Sequence, residues 1–446
     1  MRILARIGAV GVFLTLALAG AALFHPDARA PQARYAVSVT PLTSTPLTSA
    51  ALSSPTGLPP VSPSVSAATS GSGAGDAPPH EADRGQNRPN GRPNGRPNDQ
   101  HRQVTLLMSG DLLWHNTVWE SAHEDAVRRG LAQRFDFDPM FAAMKPLVQS
   151  ADLAICHEEV PFAADDRHLS SYPVFAAPPE IARWIASMGW DACTTDSNHS
   201  IDQGFAGLVR TANLLERAGV RHVGTFRTPA ERRKPVILTT KEGVKVGIVG
   251  GTYSLNGFSL PPDERWAVSM WDADNLISQA RAAKAAGADI VLVQYHGGDE
   301  YSRLPNAQQV ALVRRLTASP AVDLVFAEHA HVVQPITKVN GKWVVYGMGN
   351  MVGQSDPRYP RAYEGISVRF TFTERQHGFA VTRASYIPTS WNVYTPGNPI
   401  RVRPVVRALA HGAGDRARLL EARRMTRLAV DGLNPHGETT PGLRQN

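Results

Sequence analysis

The stretch Leu324–Pro335 reads LVFAEHAHVVQP, an apolar β-like run followed directly by a histidine-rich polar run. His329 and His331 are separated by one residue, so on an extended backbone both side chains would face the same side. Paired imidazoles are common ligands of divalent metals, and a solvated loop is the alternative. A strand that ends in metal-competent residues predicts an open α/β sheet with a binding edge.

Four other apolar runs end in the same way, with polar side chains where a strand should stop. In chain order they read GDLLWH (Gly110–His115), CHEEVP (Cys156–Pro161), DSNHSIDQG (Asp196–Gly204) and QYHGGDEY (Gln294–Tyr301). The strand ends of an open α/β sheet gather on one edge. Each run alone has an ordinary explanation, such as a helix cap or a solvated loop. Five in succession favour one polar pocket that can bind metal.

The first two of these runs offer carboxylate and imidazole groups. Asp111 and His115 lie four residues apart and could ligate one divalent ion. After the strand Leu153–Cys156, alternation places His157 and Glu159 on one face of an extended chain. Glu158 should point away, so Glu159 is the favoured ligand.

The next two runs add an amide and further histidines. Asn198 could ligate a metal through its amide oxygen, while the adjacent His199 handles a proton or a developing charge. The ordinary alternative for Asp202 is a cap for the helix that follows. His296 ends an apolar strand and precedes two glycines that allow close approach of the chain. This mixture of carboxylate, amide and imidazole donors suits Mn, Zn or Fe better than Ca.

Strands and helices alternate from Val104 onward, which predicts a layered α/β fold with a mostly parallel central sheet. Beyond Pro335 the pattern is strand-rich, and Asn340-Gly341 is a hairpin signal, so the end of the domain should be antiparallel. The predicted strands are 104–109, 153–156, 192–195, 236–240, 244–249, 290–295, 324–327, 336–339, 343–346, 366–373 and 380–387. The predicted helices are 139–149, 180–188, 205–218, 272–286 and 306–317.

The chain should divide into four parts. Residues 1–30 combine two arginines, an 18-residue apolar run and a small-x-small site, which indicates a secretory signal peptide or an uncleaved N-terminal membrane anchor. Residues 31–103 are rich in Pro, Ser and Gly and read as a disordered linker. Residues 104–400 form the α/β domain, and 401–446 form a basic helical tail that frays after Gly432. The protein is therefore expected to be exported, either membrane-anchored or secreted.

Composition and net charge limit the classes of partner that the protein is expected to bind. The net charge is +7, of which the first 103 residues carry +4, so the domain is nearly balanced. With no basic stripe carrying interleaved aromatics, nucleic acid is not an expected partner. Cys156 and Cys193 are the only cysteines. Export would permit a disulfide between them, but two buried free thiols are the favoured interpretation.

Taken in order, these runs resemble the CapA family of poly-γ-glutamate capsule biosynthesis proteins, whose domain is related to calcineurin-like metallophosphoesterases. The resemblance spans residues 104–387. Its motifs are matched by Gly110-Asp111, His157-Glu158-Glu159-Val160-Pro161, Ser197-Asn198-His199 with Asp202 and Gly204, His296 with Glu300-Tyr301, His329-Ala-His331-Val-Val-Gln334-Pro335, and Gly347-Met-Gly349-Asn350. The sequence departs from the family at His157 and Ser197, which replace Asn, and at Glu328, which would add negative charge near the pocket.

The resemblance implies a metallophosphoesterase-like domain with central mixed sheets flanked by helices and a site for two divalent ions. It makes His199 the acid or the electrostatic partner at the leaving oxygen, with Asn198 beside it. It implies an anionic cell-surface polymer or a phosphoester as substrate, with membrane and other capsule-synthesis proteins as partners. A non-catalytic assembly accessory is the alternative. The implied metal ligands are Asp111, Glu159, Asn198, His296, His329 and His331, with His115 or His157.

Overall fold

A computed structural model describes residues 101–434, 440 and 442–446. The predicted N-terminal signal or anchor lies outside the described residues, as does all but the last part of the predicted linker. Within the described ranges, no helix has the length and apolar character needed to cross a membrane.

The described chain alternates strands and helices through most of its length. The strands are β1 (Gln103–Leu112), β2 (Leu153–Glu158), β3 (Ala192–Thr194), β4 (Arg221–Val223), β5 (Val236–Thr239), β6 (Lys245–Val249), β7 (Ile290–His296), β8 (Leu324–Glu328), β9 (Ile336–Val339), β10 (Lys342–Val345), β11 (Asn350–Val352), β12 (Glu364–Arg375), β13 (Gly378–Ser390), β14 (Arg403–Pro404) and β15 (Leu443–Gln445). The helices are α1 (Asn116–Arg128), α2 (Asp138–Phe141), α3 (Lys145–Gln149), α4 (Ile181–Met188), α5 (Gly204–Arg217), α6 (Pro229–Arg232), α7 (Ala273–Ala285), α8 (Ala307–Ala318), α9 (Val405–Ala410) and α10 (Arg416–Val430).

Two mixed sheets, rather than one mostly parallel sheet, form the centre of the fold. The first has the order β14-β13-β12-β1-β2-β3-β4, with β11 beside β1 and β15 beside β13. The second has the order β5-β6-β7-β8-β10-β9. Parallel pairing runs through β1-β2-β3-β4 and β6-β7-β8-β10, and antiparallel pairing lies toward the outer strands. The predicted hairpin at Asn340-Gly341 is confirmed, with both residues at positive φ between β9 and β10.

The sheets pack face to face because their strands alternate between two apolar faces. Leu106 and Met108 of β1 pack with Leu292 of β7 and Phe326 of β8 in a core between the sheets. The intervening residue Leu107 faces a second core beneath the early helices. Val291 and Val293 of β7 face a third core under α7 and α8. The result is a helix–sheet–sheet–helix arrangement in which both faces of the central strands are buried.

The first strand approaches β11 closely at Gly110. A Cβ added there would lie 1.8 Å from the carbonyl oxygen of Gly349, and the neighbouring Asp111 N–H donates to that same oxygen at 3.1 Å. Glycine is therefore required for the contact that positions Asp111.

A Gly110→Ala substitution should lower the free energy of unfolding by about 1–3 kcal/mol, because a backbone oxygen cannot move aside as a side chain can. Urea unfolding measures the change. Ser109→Ala, which removes only a hydroxyl 3.1 Å from Ser367 Oγ, is the matched control and should cost less. Equal stability of wild type and Gly110→Ala would contradict the close approach.

Three predictions about elements need correction. The helix predicted over 139–149 is interrupted and forms α2 and α3 instead. The helix α1 was not anticipated; it begins directly after the polar run that follows β1. The C-terminal tail does not simply fray after Gly432, because Leu443–Gln445 forms β15 alongside β13. This last pairing joins the end of the chain to the first sheet.

Candidate metal centre

The carboxyl ends of strands from both sheets bring the polar runs together. In the first sheet, Asp111 on β1 pairs with His157 on β2 and with Asn350 on β11. In the second sheet, His296 ends β7 directly opposite Glu328 at the end of β8. The side chains that carry chemistry therefore meet between two sheets rather than along one edge.

Three groups of ligand-type side chains form a continuous series. Within each group, one ligand atom per residue lies within 4.8 Å of the others. Asp111 is shared by the first and second groups, and His331 by the second and third. The groups are Asp111 with His157 and His296, Asp111 with Glu159 and His331, and His331 with His329 and Glu300.

Glu159 lies between histidines from different strands. Its Oε1 is 3.8 Å from His296 Nε2 and also 3.8 Å from His331 Nε2. The imidazole rings of His157 and His296 are stacked, with 4.8 Å between their centroids. Asp111 Oδ1 lies 4.0 Å from His157 Nε2. These spacings leave room for an ion, and the closest carboxylate–imidazole approach within the groups is between His331 Nδ1 and Asp111 Oδ2, at 3.2 Å.

The donor set fits a divalent metal because several of its buried ligand atoms lack hydrogen-bond partners among the described residues. Both carboxylate oxygens of Asp111 and of Glu159 are buried and lack a hydrogen-bond partner among the described residues. The same holds for His157 Nε2, His296 Nδ1 and His329 Nδ1. Buried polar atoms without partners are costly, and a cation would satisfy several of them at once.

Hydrogen bonds on the other ring nitrogens orient the histidines. His296 Nε2–H donates to Asn198 Oδ1 at 2.7 Å, which leaves Nδ1 as the free lone pair. His157 Nδ1–H donates to Thr194 Oγ1 at 2.8 Å, which leaves Nε2 facing Asp111. Partners of this kind fix the tautomer of a metal-ligating histidine.

His331 is oriented by a residue to which the sequence assigned no role. Its Nδ1–H donates to Asn350 Oδ1 at 2.8 Å. Asn350 belongs to the Gly-x-Gly-Asn run, and that motif was the available signal. The contact leaves His331 Nε2 facing Glu159.

Burial keeps three of the imidazoles neutral, which is the form that binds metal. Burial lowers the pKa of His157 to about 4. Burial, followed by the charges of neighbouring imidazoles, lowers the pKa of His296 well below its usual value. Burial and then His331 do the same to the pKa of His329.

His331 and Glu159 show that the centre attracts positive charge. Burial opposes protonation of His331, but the carboxylates of Glu159 and Asp111 outweigh it and raise its pKa. Burial also raises the pKa of Glu159, with His331 acting against the rise. Both shifts favour retention of a proton where carboxylates are concentrated, and a divalent cation could replace that charge.

His199 forms a pair with Asp202 beside the centre. Its Nδ1–H donates to Asp202 Oδ2 at 2.7 Å, and that oxygen also accepts from the Phe175 backbone N–H at 2.7 Å. The prediction that Asp202 caps the following helix is wrong, because Gln203 is the residue that precedes α5. Asn198, the residue before His199, accepts a hydrogen bond from His296 and so connects this pair to the centre.

The paired histidines after β8 come together in a way that their spacing did not predict. His329 has φ 96° and His331 has φ 54°, so neither lies on extended backbone. Left-handed turns, rather than strand alternation, bring their ring centroids to 5.8 Å. Glu300 joins them in the third group, although it had no assigned role. The His-x-Gly-x-Glu-Tyr motif was the signal for it.

The neighbouring glutamates have different surroundings. Glu158 turns away from the centre and accepts from Trp114 Nε1 at 2.9 Å. Glu328 accepts from Gln294 Nε2 at 2.7 Å. Burial, followed by the charge of Asp111, raises the pKa of Glu328 well above its usual value. Glu328 therefore lies beside the centre, opposite His296, and burial disfavours the charged form of its carboxyl group.

His115 lies outside all three ligand groups. Its ring packs edge-on against Phe175, with centroids 5.1 Å apart, and its Nδ1 accepts from the Gln354 backbone N–H at 3.1 Å. Burial lowers its pKa to about 4. Of the two alternatives for the additional ligand, the structure brings His157 to Asp111 and leaves His115 on the periphery.

The two cysteines form a disulfide between β2 and β3. The favoured interpretation of two free thiols is therefore wrong. Cys156 and Cys193 are register partners in these parallel strands, and both are buried. Because Cys156 precedes His157, the crosslink holds one strand of the candidate centre against its neighbour.

Comparisons with known proteins identify relatives of this chain. Over 295 residues it is 24% identical to the capsule biosynthesis protein CapA of Bacillus anthracis, with 63% of this chain and 66% of the relative aligned. Over 257 residues it is 26% identical to the PGA biosynthesis protein CapA of Bacillus subtilis, covering 55% and 64%. A probable polyglutamine synthesis accessory protein of Mycobacterium tuberculosis is 25% identical over 238 residues, covering 50% and 59%. The chain thus spans less than two thirds of the length of each relative.

Solved structures similar to this chain include a putative nucleotidase and a phosphoesterase. A putative 5'-nucleotidase from Staphylococcus aureus in complex with alpha-ketoglutarate aligns with 72% of this chain and 58% of its own, at 13% identity and a TM-score of 0.41. The calcineurin-like phosphoesterase YfkN from Bacillus subtilis aligns with 73% and 97%, at 15% identity and a TM-score of 0.40.

A family model that matches more than half of the chain identifies its family. The family model described as bacterial capsule synthesis protein PGA_cap matches residues 105–355. That range begins within β1 and ends just after β11, so it includes every residue of the three ligand groups. The chain belongs to this family of bacterial capsule synthesis proteins.

Proposed function

We propose that this protein is an exported, metal-dependent hydrolase that acts on poly-γ-glutamate or a related anionic cell-surface polymer during its synthesis, processing or export. The family match and the names of the Bacillus relatives support the polymer. The resemblance to metallophosphoesterases supports hydrolysis. We further propose two divalent ions, chosen from Mn, Zn or Fe by the mixture of carboxylate and imidazole donors.

One observation carries this proposal: the series of ligand groups linked through Asp111 and His331. Two neighbouring groups that share a carboxylate are what a two-ion site requires. Asp111, His157 and His296 would hold one ion, and Asp111, Glu159 and His331 the other. His329 and Glu300 extend the set toward solvent, since the Glu300 side chain is exposed.

Bound divalent ions would supply a Lewis acid and an activated water at this site. The residues of the chain would do the rest. His199, held through Nδ1 by Asp202, can present its Nε2 to a leaving atom and give it a proton. The hydrogen bond to Asp202 fixes the orientation of the His199 ring. Asn198 keeps His296 in one orientation through the 2.7 Å hydrogen bond.

The burial of the centre favours a second candidate, a non-catalytic accessory that binds the polymer or helps assemble it. Asp111, His157 and His296 each have 0% exposure, so an ion there could stabilise the fold without meeting a substrate. The Mycobacterium relative carries the word accessory in its name. Either role would involve the polymer and other capsule-synthesis proteins.

A His199→Ala variant separates the two candidates. For a hydrolase, the rate of polymer shortening should fall by about a hundredfold, because the proton donor is lost, while metal content by elemental analysis stays at the wild-type level. His222→Ala is the control, because His222 is equally buried but contacts Glu216 instead. Undiminished polymer production in cells carrying Asn198→Ala and His199→Ala would favour the accessory.

The exported location also belongs to the proposal. It rests on the predicted signal or anchor in residues 1–30 and is supported by the Cys156–Cys193 disulfide, because disulfides persist in oxidising compartments. Either a retained anchor or cleavage would leave the centre outside the cytoplasmic membrane.

A further inference from the structure

Two exposed tyrosines form a stacked pair next to the candidate centre. The rings of Tyr301 and Tyr359 lie nearly parallel, at 24°, with centroids 6.1 Å apart. Tyr301 is 47% exposed and Tyr359 58%. The Tyr301 ring centroid is also 6.2 Å from that of His331. The pair therefore extends from a candidate metal ligand out to solvent.

The position of Tyr301 is not explained by stability alone. Its φ of 60° is unusual for a bulky residue, and such a conformation costs on the order of 1–3 kcal/mol. The backbone N–H donates to the Ala330 carbonyl at 2.7 Å, between the two histidines of the third group. An exposed aromatic pair returns about 0.5–1.5 kcal/mol. The fold thus holds this ring beside the centre in a backbone conformation that is itself unfavourable.

Charged side chains of both signs lie next to the pair in the sequence, including Glu300 beside Tyr301 and the arginines Arg303 and Arg358. Arg303, two residues after Tyr301, makes no hydrogen bond or ion pair with any other residue that the structure describes. Arg358, next to Tyr359, is held on Asp356. Arg303 is therefore the cation of this surface that remains free to meet a carboxylate.

We propose that Tyr301 and Tyr359 form a platform that binds an amide-linked polyacid, with the amide planes against the rings and Arg303 paired with a carboxylate. This inference rests on the proposed function and names the part of the site that recognises the polymer. Aromatic faces favour planar groups, and an amide-linked polyacid offers both planar amides and carboxylates. A phosphodiester chain without planar groups would gain little from such a platform.

The test compares two polycarboxylates, one with planar amide groups in its backbone and one without them. Binding of a γ-linked glutamate oligomer and of polyacrylate of similar length, which has carboxylates but no amides, is measured by calorimetry on the metal-loaded protein. We expect Tyr359→Ala to weaken oligomer binding about tenfold and to leave polyacrylate binding unchanged. Tyr359→Phe, which keeps the ring, should bind the oligomer as wild type does. Arg303→Gln should weaken the binding of both polymers.

The possible outcomes test the binding platform and the proposed hydrolase activity independently of each other. Equal oligomer binding by wild type and Tyr359→Ala overturns the platform, as does a wild type that fails to prefer the oligomer over polyacrylate. Metal content and polymer shortening are measured on the same samples. A tenfold loss of binding without any shortening by wild type supports the platform and contradicts hydrolysis. If wild type shortens the polymer but Tyr359→Ala binds the oligomer as tightly as wild type, the result supports hydrolysis and contradicts the platform.

Discussion

A Glu159→Gln substitution should weaken metal binding by at least about a hundredfold and reduce any hydrolase activity by about a thousandfold. Glu159 is fully buried between His296 and His331, and both its carboxylate oxygens lack partners among the described residues. A neutral amide would remove the negative charge that holds a cation there. Elemental analysis of the purified protein and titration with Mn or Zn after chelation give the measurement.

The adjacent residue provides a matched control. Glu158→Gln changes the same group one position away, but that side chain faces Trp114 instead of the centre. Metal content of Glu158→Gln should equal that of wild type, because the amide oxygen can still accept from the indole. The metal-free Glu159→Gln protein should be no less stable than metal-free wild type, since a buried carboxylate without partners opposes folding. Wild-type metal content in Glu159→Gln would contradict the proposed ligand set.

Removal of the disulfide should have the largest effect on stability. The crosslink joins residues separated by 37 positions, and closing a loop of that length stabilises a protein by about 4 kcal/mol in the chain-entropy estimate. The double variant Cys156→Ala with Cys193→Ala should therefore unfold at lower urea concentration. Wild type treated with a reductant should show the same shift.

The same experiment bears on the exported location. Thiol labelling of protein taken directly from cells should find both cysteines blocked, because an oxidising compartment maintains the bond. Unfolding that is unaffected by reductant would contradict the disulfide. Labelling of both thiols in the cytosolic fraction would contradict export.

Short-range patterns predicted the strands and the identity of the polar runs. The alternation of side chains along β2 is enough to distinguish Glu159 from Glu158, because a strand repeats every two residues. The end of each apolar run marked where β7 and β8 stop to within about one residue. These features depend only on neighbours in the chain.

Features that depend on distant residues could not be predicted. Periodicity does not say which strands pair, so the alternation alone predicted one mostly parallel sheet, and the Cys156–Cys193 bond was missed. The central mixed sheets flanked by helices that the resemblance implied are confirmed. The left-handed φ angles of His329 and His331 arise from the contacts of the folded loop, as does the Tyr301 turn. Glu300 and Asn350 were visible in motifs, but their positions beside His331 depend on strands far apart in sequence.

The pairing of Asp111 with Asn350 has a consequence for how the protein acquires its metal. These partners are 239 residues apart, and the second sheet is built between them. The ligand set, which reaches from Asp111 to His331, therefore does not exist in a nascent chain, and Asn350 orients His331 only when β11 joins β1. Long-range closure of this kind comes late in folding. The ion that the protein retains would then be the one available in the compartment where the chain finishes folding, so place of folding becomes a determinant of metal identity.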